Sequence, residues 1–404
     1  MLKSVNKFLS ASGKNMKRSA IREILKHLRS PGMISFAGGL PAPETFPVEE
    51  LKEITLEVLE TDGAEGLQYG TTEGDPHLRK MLAERHNRQG MNISSENIII
   101  TTGSQQALDL IGKILIDPGD YVLCGLPSYL GGLNAFSVYG AKLKGITLDE
   151  KGMKPDELET TIIRLKELGK RIKFIYVIPD FQNPAGITLP EERRLKIIEI
   201  AERHDLLIVE DSPYREIRFE GSPRKMMCEL DTTSRVISLC TFSKILSPGF
   251  RVGWIIGNPM ILDRIAMAKQ TADLCTSTFI QKIIARYIEK GYLEKNIAKT
   301  IVLYKKKRDF MIECFRKYMP ENVTWTEPQG GLFLFVILPH CIDTEKIFRK
   351  AIERNVAFVS GSTFFCNNSG RNTMRINFSF SNPEEIEEGV RRLSRVIREE
   401  LNGK

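Results

Sequence analysis

The sequence predicts an α/β protein: a mostly parallel sheet sandwiched by helices, followed by a smaller α+β unit. Three observations predict it. Short apolar, β-branched runs at 97–102, 121–124, 141–148, 173–178, 206–211 and 235–240 alternate with segments of helical period. Residues able to do chemistry follow the ends of these runs, where open parallel sheets bind ligands. From residue 324 the pattern changes to strand-like alternation interrupted by Gly330 and Gly331. At roughly 100–200 residues per domain the 404 residues allow two or three domains. The expected division is a lead helix and loop over 1–50, a large unit over 51–300 and a small unit over 301–404.

Composition narrows the function classes. A hydrophobic fraction of 42% and a charged fraction of 27% are ordinary for a soluble globular chain with a large core. The net charge of +7 is spread along the chain rather than gathered in an arm or stripe, which argues against nucleic acid. It favours anionic small molecules instead. The seven cysteines are scattered, with no Cys-x-x-Cys, and neither they nor the five histidines show metal-ligand spacing. Free thiols, no metal and a cytoplasmic location are expected. The first residues lack the long apolar core of a signal peptide. No run reaches the ~18 apolar residues of a membrane span.

Taken in order, the chain opens with a basic amphipathic stretch. Apolar residues at 21, 24, 25 and 28 predict a helix with Ser19 as N-cap and Arg22 on its face. Residues 34–47 are rich in Gly and Pro and cannot form a regular helix or central strand; Gly38 and Gly39 allow close backbone approach to a ligand. Helices are predicted over 48–60 and 76–90, with a polar loop at 67–75 that carries Tyr69. The strand at 97–102 runs into a helix over 103–115 opened by Gly103 and Ser104. A helix start binds anions through its free N–H groups and its dipole, so Ser104 and Gln105 can cup a phosphate; simple N-capping is compatible with this. Another helix opens at 127–134 and carries Tyr129, either a core aromatic or a stacking face for a flat ring.

Helices at 155–168 and 191–204 flank the strand at 173–178. That strand leads to Asn183-Pro184, a rigid turn whose amide can donate to a phenolate oxygen. The strand at 206–211 ends in Glu210 and Asp211, with Tyr214 just beyond. A carboxylate there is either a surface acid or a pocket acid that needs a partner. Helices are predicted across 258–318, 344–355 and 383–400, with strands at 324–338, 357–360 and 374–379. Arg375 interrupts the last of these; an unpaired charge within an apolar strand is costly, so it holds either a structural ion pair or a ligand.

The stretch between the strands at 235–240 and 251–257 organises the rest. It carries Thr241, Ser243, Lys244, Pro248, Gly249, Arg251 and Gly253. Most loop lysines are merely solvated. A lysine held at a strand end among hydroxyls and a fixed guanidinium is different: burial or nearby cations favour its neutral, nucleophilic form. Its characteristic partner is a carbonyl, and pyridoxal phosphate (PLP) brings both an aldehyde and a phosphate.

Ser/Thr-x-Ser-Lys followed by Pro-Gly-x-Arg-x-Gly resembles the cofactor-lysine signature of the fold-type-I, class I/II aminotransferases. The other parts of that pattern follow in family order from Ser19 to Arg375. The resemblance implies a seven-stranded large-domain sheet, PLP as cofactor, and amino acids and 2-oxo acids as substrates. It implies that Lys244 is bonded to PLP, with Asp211 against the pyridine nitrogen, Asn183 and Tyr214 at O3′, and Tyr129 on the ring. Gly103, Ser104, Gln105, Thr241, Ser243 and Arg251 would surround the phosphate. Tyr69 would reach across a homodimer with shared active sites. Arg375, with Asn183 and Gly39, would hold the substrate's α-carboxylate. The 34–47 loop and the Ser-x-Ile-Arg of Ser19 and Arg22 are similar to the 2-aminoadipate and kynurenine subgroup, which implies glutamate and 2-aminoadipate as substrates. Aromatic and long aliphatic amino acids are expected if the lead helix swings aside.

Three other readings compete. A PLP-dependent lyase on the same fold would look alike at the lysine, aspartate and arginine. A PLP-sensing transcription regulator would need a winged-helix domain ahead of Ser19, for which the sequence leaves no room. A dinucleotide-binding oxidoreductase would need Gly-x-Gly-x-x-Gly after an early strand, which is lacking.

Overall fold

The structure, a computed structural model, describes residues 5–16 and 32–403. The helix expected around Ser19 and Arg22 lies outside the described residues.

The large sheet has the strand order β2-β9-β8-β7-β6-β3-β4-β5. Its strands are β2 (Ile98–Thr101), β3 (Tyr121–Leu126), β4 (Lys142–Asp149), β5 (Gly152–Met153), β6 (Ile172–Val177), β7 (Leu207–Asp211), β8 (Val236–Thr241) and β9 (Gly253–Ile256). Strands β8, β7, β6, β3 and β4 run parallel. Strand β9 is antiparallel to both its neighbours, and the two-residue β5 closes the far edge as a hairpin. Seven strands with this small appendage make the mostly parallel sheet the sequence predicted.

Alternation along the strands explains the two helical layers, because successive side chains point to opposite faces. Phe174, Tyr176, Val209, Ile237 and Leu239 pack on the helices Ser104–Leu115, Leu130–Val138 and Pro259–Gln270. Ile175, Val177, Ile208 and Val236 pack on Pro155–Glu167 and Glu191–Arg203. Burial on both faces is why these strands read as continuous apolar runs.

The second sheet is antiparallel, in the order β10-β11-β14-β13. Its strands are β10 (Thr324–Trp325), β11 (Phe333–Ile337), β13 (Val359–Ser360) and β14 (Thr373–Asn377), and the helices Thr344–Glu353 and Pro383–Asn402 accompany it. The 27-residue helix Tyr292–Tyr318 runs unbroken through position 300, where a division was expected.

Two expected strands are subdivided. The run 324–338 splits at Gly330 and Gly331, where a Cβ on Gly330 would stand 2.3 Å from the Ile217 carbonyl oxygen. The run 357–360 serves two sheets: β12 (Val356–Ala357) pairs with β1 (Ile34–Ser35), while β13 joins β14. The β1–β12 pair ties the Gly/Pro-rich loop to the second sheet. Phe36 N–H donates to the Ala357 carbonyl at 2.8 Å, and Asn377 N–H donates to the Phe36 carbonyl at 2.9 Å. This anchorage places the Ala37, Gly39 and Leu40 carbonyls within hydrogen-bond reach of Arg375, Lys244 and Ser379. The helix expected from 127 begins at Leu130, and the one expected over 48–60 runs to Gly66.

Candidate active site

Strand β8 ends at Thr241 and the chain returns antiparallel as β9, with Thr241 paired to Gly253. The intervening loop is drawn tight: Phe242 N–H donates to the Val252 carbonyl at 3.1 Å, and Ser243 N–H to Thr241 Oγ1 at 3.1 Å. Lys244 is therefore held just beyond the carboxyl end of β8. Its Nζ donates to the Gly39 carbonyl at 2.7 Å. Burial first, and then the neighbouring guanidinium groups of Arg375 and Arg251, push its pKa from the ordinary 10.5 down to about 8. This is the environment in which a lysine becomes a nucleophile.

The two acids at the end of β7 part company by strand alternation. Glu210 turns toward the Met227–Leu230 helix, accepting from Met227 N–H at 2.9 Å, Cys228 N–H at 3.3 Å and the Ser238 hydroxyl. It is a structural acid. Asp211, 2% exposed, takes the other face. Its Oδ2 accepts from the Tyr176 hydroxyl at 2.8 Å, while Oδ1 is buried with no partner among the described residues. Burial lifts its pKa to about 6; the Tyr176 hydrogen bond acts against that rise and Glu210 adds to it. Tyr214 is buried beside it and accepts from Asn183 Nδ2 at 3.2 Å.

Asn183 Oδ1 in turn accepts from Arg375 Nη1 at 2.9 Å, and Arg375 Nη2 donates to the Ala37 carbonyl at 2.7 Å. The guanidinium lies 4.1 Å from the Phe333 ring centre and 5.1 Å from that of Phe364. Arg375 is 1% exposed, yet no described carboxylate pairs with it; burial pushes its pKa down to about 10. The structural ion pair considered for this residue is therefore not present among the described residues.

The helix Ser104–Leu115 begins at Gly103, which has φ +78° and no side-chain cap. A Cβ there would stand 2.7 Å from Arg251 Nη2, and one on Gly253 would stand 3.0 Å from the Ser104 amide nitrogen. Glycine at these positions keeps open a small space between a helix start and a guanidinium. Arg251 is itself at φ 54°, a left-handed geometry that turns it back toward that helix. Thr241 and Ser243 hydroxyls lie 2.9 Å apart at the neighbouring strand end.

Lys244, Asp211, Tyr214, Asn183, Arg375 and the Gly39 loop are thus linked by hydrogen bonds or charge, and Gly103, Ser104 and Arg251 form a second group beside them. Gln105 stands in the first turn of the helix Ser104–Leu115, and its side-chain Nε2 donates to the Gly131 carbonyl at 3.2 Å. Tyr129 stands at the start of the Leu130–Val138 helix with its hydroxyl 3.5 Å from Gln105 Oε1. Tyr69 is 78% exposed. Ser19 and Arg22 lie outside the described residues. Reasoning from sequence missed Tyr176, Phe333 and Phe364. Tyr176 carried a faint signal, a single hydroxyl in the otherwise apolar run 173–178.

A phosphorylated aldehyde of the PLP type fits on observations of the chain itself: a lysine amine with a depressed pKa, a buried carboxylate oxygen with no partner among the described residues, and a helix start where a Cβ would fill the space beside a guanidinium. The fold is that of a PLP-dependent transferase. Residues 32–393 match the model of aminotransferase class I and II. The aromatic-amino-acid aminotransferase 1 of Thermococcus litoralis is 48% identical over 98% of this chain and 95% of its own length. Two solved structures superpose throughout. The kynurenine aminotransferase of Pyrococcus horikoshii, in complex with PMP, has a TM-score of 0.95 and 45% identity, covering 99% of both chains. The α-aminoadipate aminotransferase of Thermus thermophilus, complexed with N-(5′-phosphopyridoxyl)-L-leucine, has a TM-score of 0.92 and 37% identity, covering 99% of this chain and 100% of its own. This chain belongs to the aminotransferase class I and II family. No helix among the described residues is long and apolar enough to cross a membrane.

Proposed function

We propose that the protein is a PLP-dependent aminotransferase that moves the amino group of an L-amino acid to a 2-oxo acid, 2-oxoglutarate being the expected acceptor. One observation carries this reading. A depressed lysine amine and a carboxylate-free buried guanidinium donate to the same short loop, at Gly39 and Ala37.

Bound PLP supplies an electron sink for the bonds at the amino acid's Cα. The chain supplies the rest. Lys244 Nζ would be the amine that holds the aldehyde and the base that moves the Cα proton. Asp211 Oδ1 would accept from the pyridine nitrogen. Tyr214 and Asn183 would hold O3′, and Tyr129 would lie against the ring. The amides of Ser104 and Gln105, with Thr241, Ser243 and Arg251, would hold the phosphate, and Gly103, whose own amide donates to the Thr101 carbonyl at 2.7 Å, would leave room for it. Arg375 grips the α-carboxylate with Asn183 and the Gly39 loop beside it. Tyr69, exposed here, fits a homodimer in which the partner's Tyr69 completes the phosphate site. A cytoplasmic location accords with the unpaired cysteines.

The donor range proposed is glutamate, 2-aminoadipate, and aromatic or long aliphatic amino acids, with Ser19 and Arg22 directed to the substrate side chain. A panel of these donors with 2-oxoglutarate should form glutamate. Release of ammonia without glutamate would instead indicate a lyase. Arg22→Ala should lower turnover of dicarboxylate donors more than about tenfold, equivalent to about 1.4 kcal/mol, while sparing aromatic ones. Unchanged selectivity would remove Arg22 from the substrate site.

The amine environment predicts a pH dependence for the apoprotein. Only neutral Lys244 attacks an aldehyde, so the rate of PLP uptake should rise with pH and level off above about 8. Stopped-flow absorbance on apoprotein measures it. Arg251→Gln removes one of the two cations, so its midpoint should move to higher pH.

A further inference from the structure

We propose that Tyr176 is a positioning residue: it ties down one oxygen of Asp211 so that the other is the single acceptor facing the coenzyme's ring nitrogen. The proposal rests on the PLP reading above. The carboxylate has two chemically equal oxygens and one rotatable bond to aim them. The Tyr176 hydroxyl occupies Oδ2 at 2.8 Å, and Oδ1, equally cut off from solvent, has no partner among the described residues. An unpaired carboxylate oxygen in a buried site is costly, and a ring N–H brought by the ligand satisfies it.

Tyr176 itself is fully buried and held from several sides. It lies in β6, on the same face of the sheet as Asp211 in the adjoining parallel strand β7. Its ring meets Phe136 edge-on, with centroids 5.3 Å apart. Above the hydroxyl sits Gly132, where a Cβ would stand only 2.7 Å from the phenolic oxygen. The helix Leu130–Val138 therefore carries glycine where any side chain would push the hydroxyl off the carboxylate. That helix follows directly on Tyr129, so Tyr129 and the Tyr176 hydroxyl share one support.

The hydrogen bond also favours the ionised form of Asp211. Burial drives this acid toward its neutral form, and a hydroxyl donating to the ionised form opposes that. Loss of the hydroxyl leaves a carboxyl that holds its proton to higher pH and cannot pair with a protonated ring.

Tyr176→Phe, nearly isosteric, tests this. The dissociation constant of PLP, measured by titrating apoprotein, should rise about tenfold or more, as for a lost hydrogen bond to a charged group. The pH midpoint of the bound coenzyme's visible absorption band and the acid limb of kcat should both move upward. KM for the amino acid, set by Arg375, should change little. Gly132→Ala, which keeps the hydroxyl but displaces it, should shift the same quantities in the same direction, so the test survives if one variant fails to fold. In an Asp211→Asn background, Tyr176→Phe should add almost nothing, whereas a residue that only fills space would act additively. Wild-type protein that takes up no PLP would end the coenzyme reading. Wild-type protein that takes it up, with both variants titrating like it, would overturn the role of Tyr176 alone.

Discussion

Lys244→Ala is expected to lower the rate of amino transfer on the order of 10⁴-fold or more, with no borohydride-stable adduct left at position 244. Two losses combine. In the proposed mechanism the chain would lose both the amine for the aldehyde and the group that moves the Cα proton, the latter alone accounting for roughly 10²–10⁴-fold. Asp211, Tyr214, Asn183 and the phosphate cup remain, so PLP should still bind reversibly. The fold should not suffer. Lys244 sits near two guanidinium groups and makes one hydrogen bond, to Gly39. Removing the charge relieves repulsion at neutral pH, so the variant's apoprotein should melt no lower than wild type. The linkage has a definite sign. A lysine whose pKa is about 8 when folded and near the ordinary 10.5 when unfolded binds more protons in the unfolded chain between those values. Wild-type apoprotein should therefore gain stability, relative to Lys244→Ala, as pH rises through that window. Thermal melts of both proteins across it measure the difference. Parallel curves would mean that burial and the two guanidinium groups do not depress Lys244.

What the sequence made legible follows from how each feature is encoded. The strands of the large sheet are buried on both faces, so their apolar runs stood out, and their bounds fell within about two residues of those observed. The groups at their ends were legible because a strand end followed by Ser-Lys, Asn-Pro or Asp-x-x-Tyr combines a local pattern with particular chemistry. Contacts between distant segments were not. Nothing near Ala37 or Gly39 announces that their carbonyls accept from Arg375 and Lys244, since that depends on β1 pairing with β12 near the other end of the chain. Phe333 and Phe364 read as ordinary core aromatics until β11 and β14 lie side by side and place one of them over the guanidinium. The two-residue strands were lost for a related reason: Val356–Ala357 and Val359–Ser360 read as one strand, and only three-dimensional pairing divides them. Gln105 shows the limit at a single residue. Its place at a helix start was plain, but its side chain turns to the Gly131 carbonyl, a contact set by how two helices pack.

Arg375→Ala is expected to reduce kcat/KM for every amino acid on the order of 10²–10⁴-fold, from the roughly 3–5 kcal/mol that follows the loss of one partner in a buried ion pair. The size of the effect comes from how the guanidinium is prepared before substrate arrives. One nitrogen is spent on Asn183, another on Ala37, and the plane is held against Phe333, so little side-chain entropy remains to be lost on binding. Its charge meets no described carboxylate, so the ligand's carboxylate enters a site already desolvated and short of one negative charge. Arg375→Lys should recover little. An ammonium is a point charge that cannot donate to Asn183, Ala37 and a carboxylate in one plane. The same reasoning separates binding from folding. A non-reactive monocarboxylate should raise the melting temperature of wild-type holoprotein as its concentration rises past its dissociation constant and leave Arg375→Ala and Arg375→Lys unmoved. If the lysine variant is stabilised and turned over like wild type, the planar fork is not what the substrate reads. If the alanine variant keeps its kcat/KM, the carboxylate is bound elsewhere and the assignment of Arg375 fails.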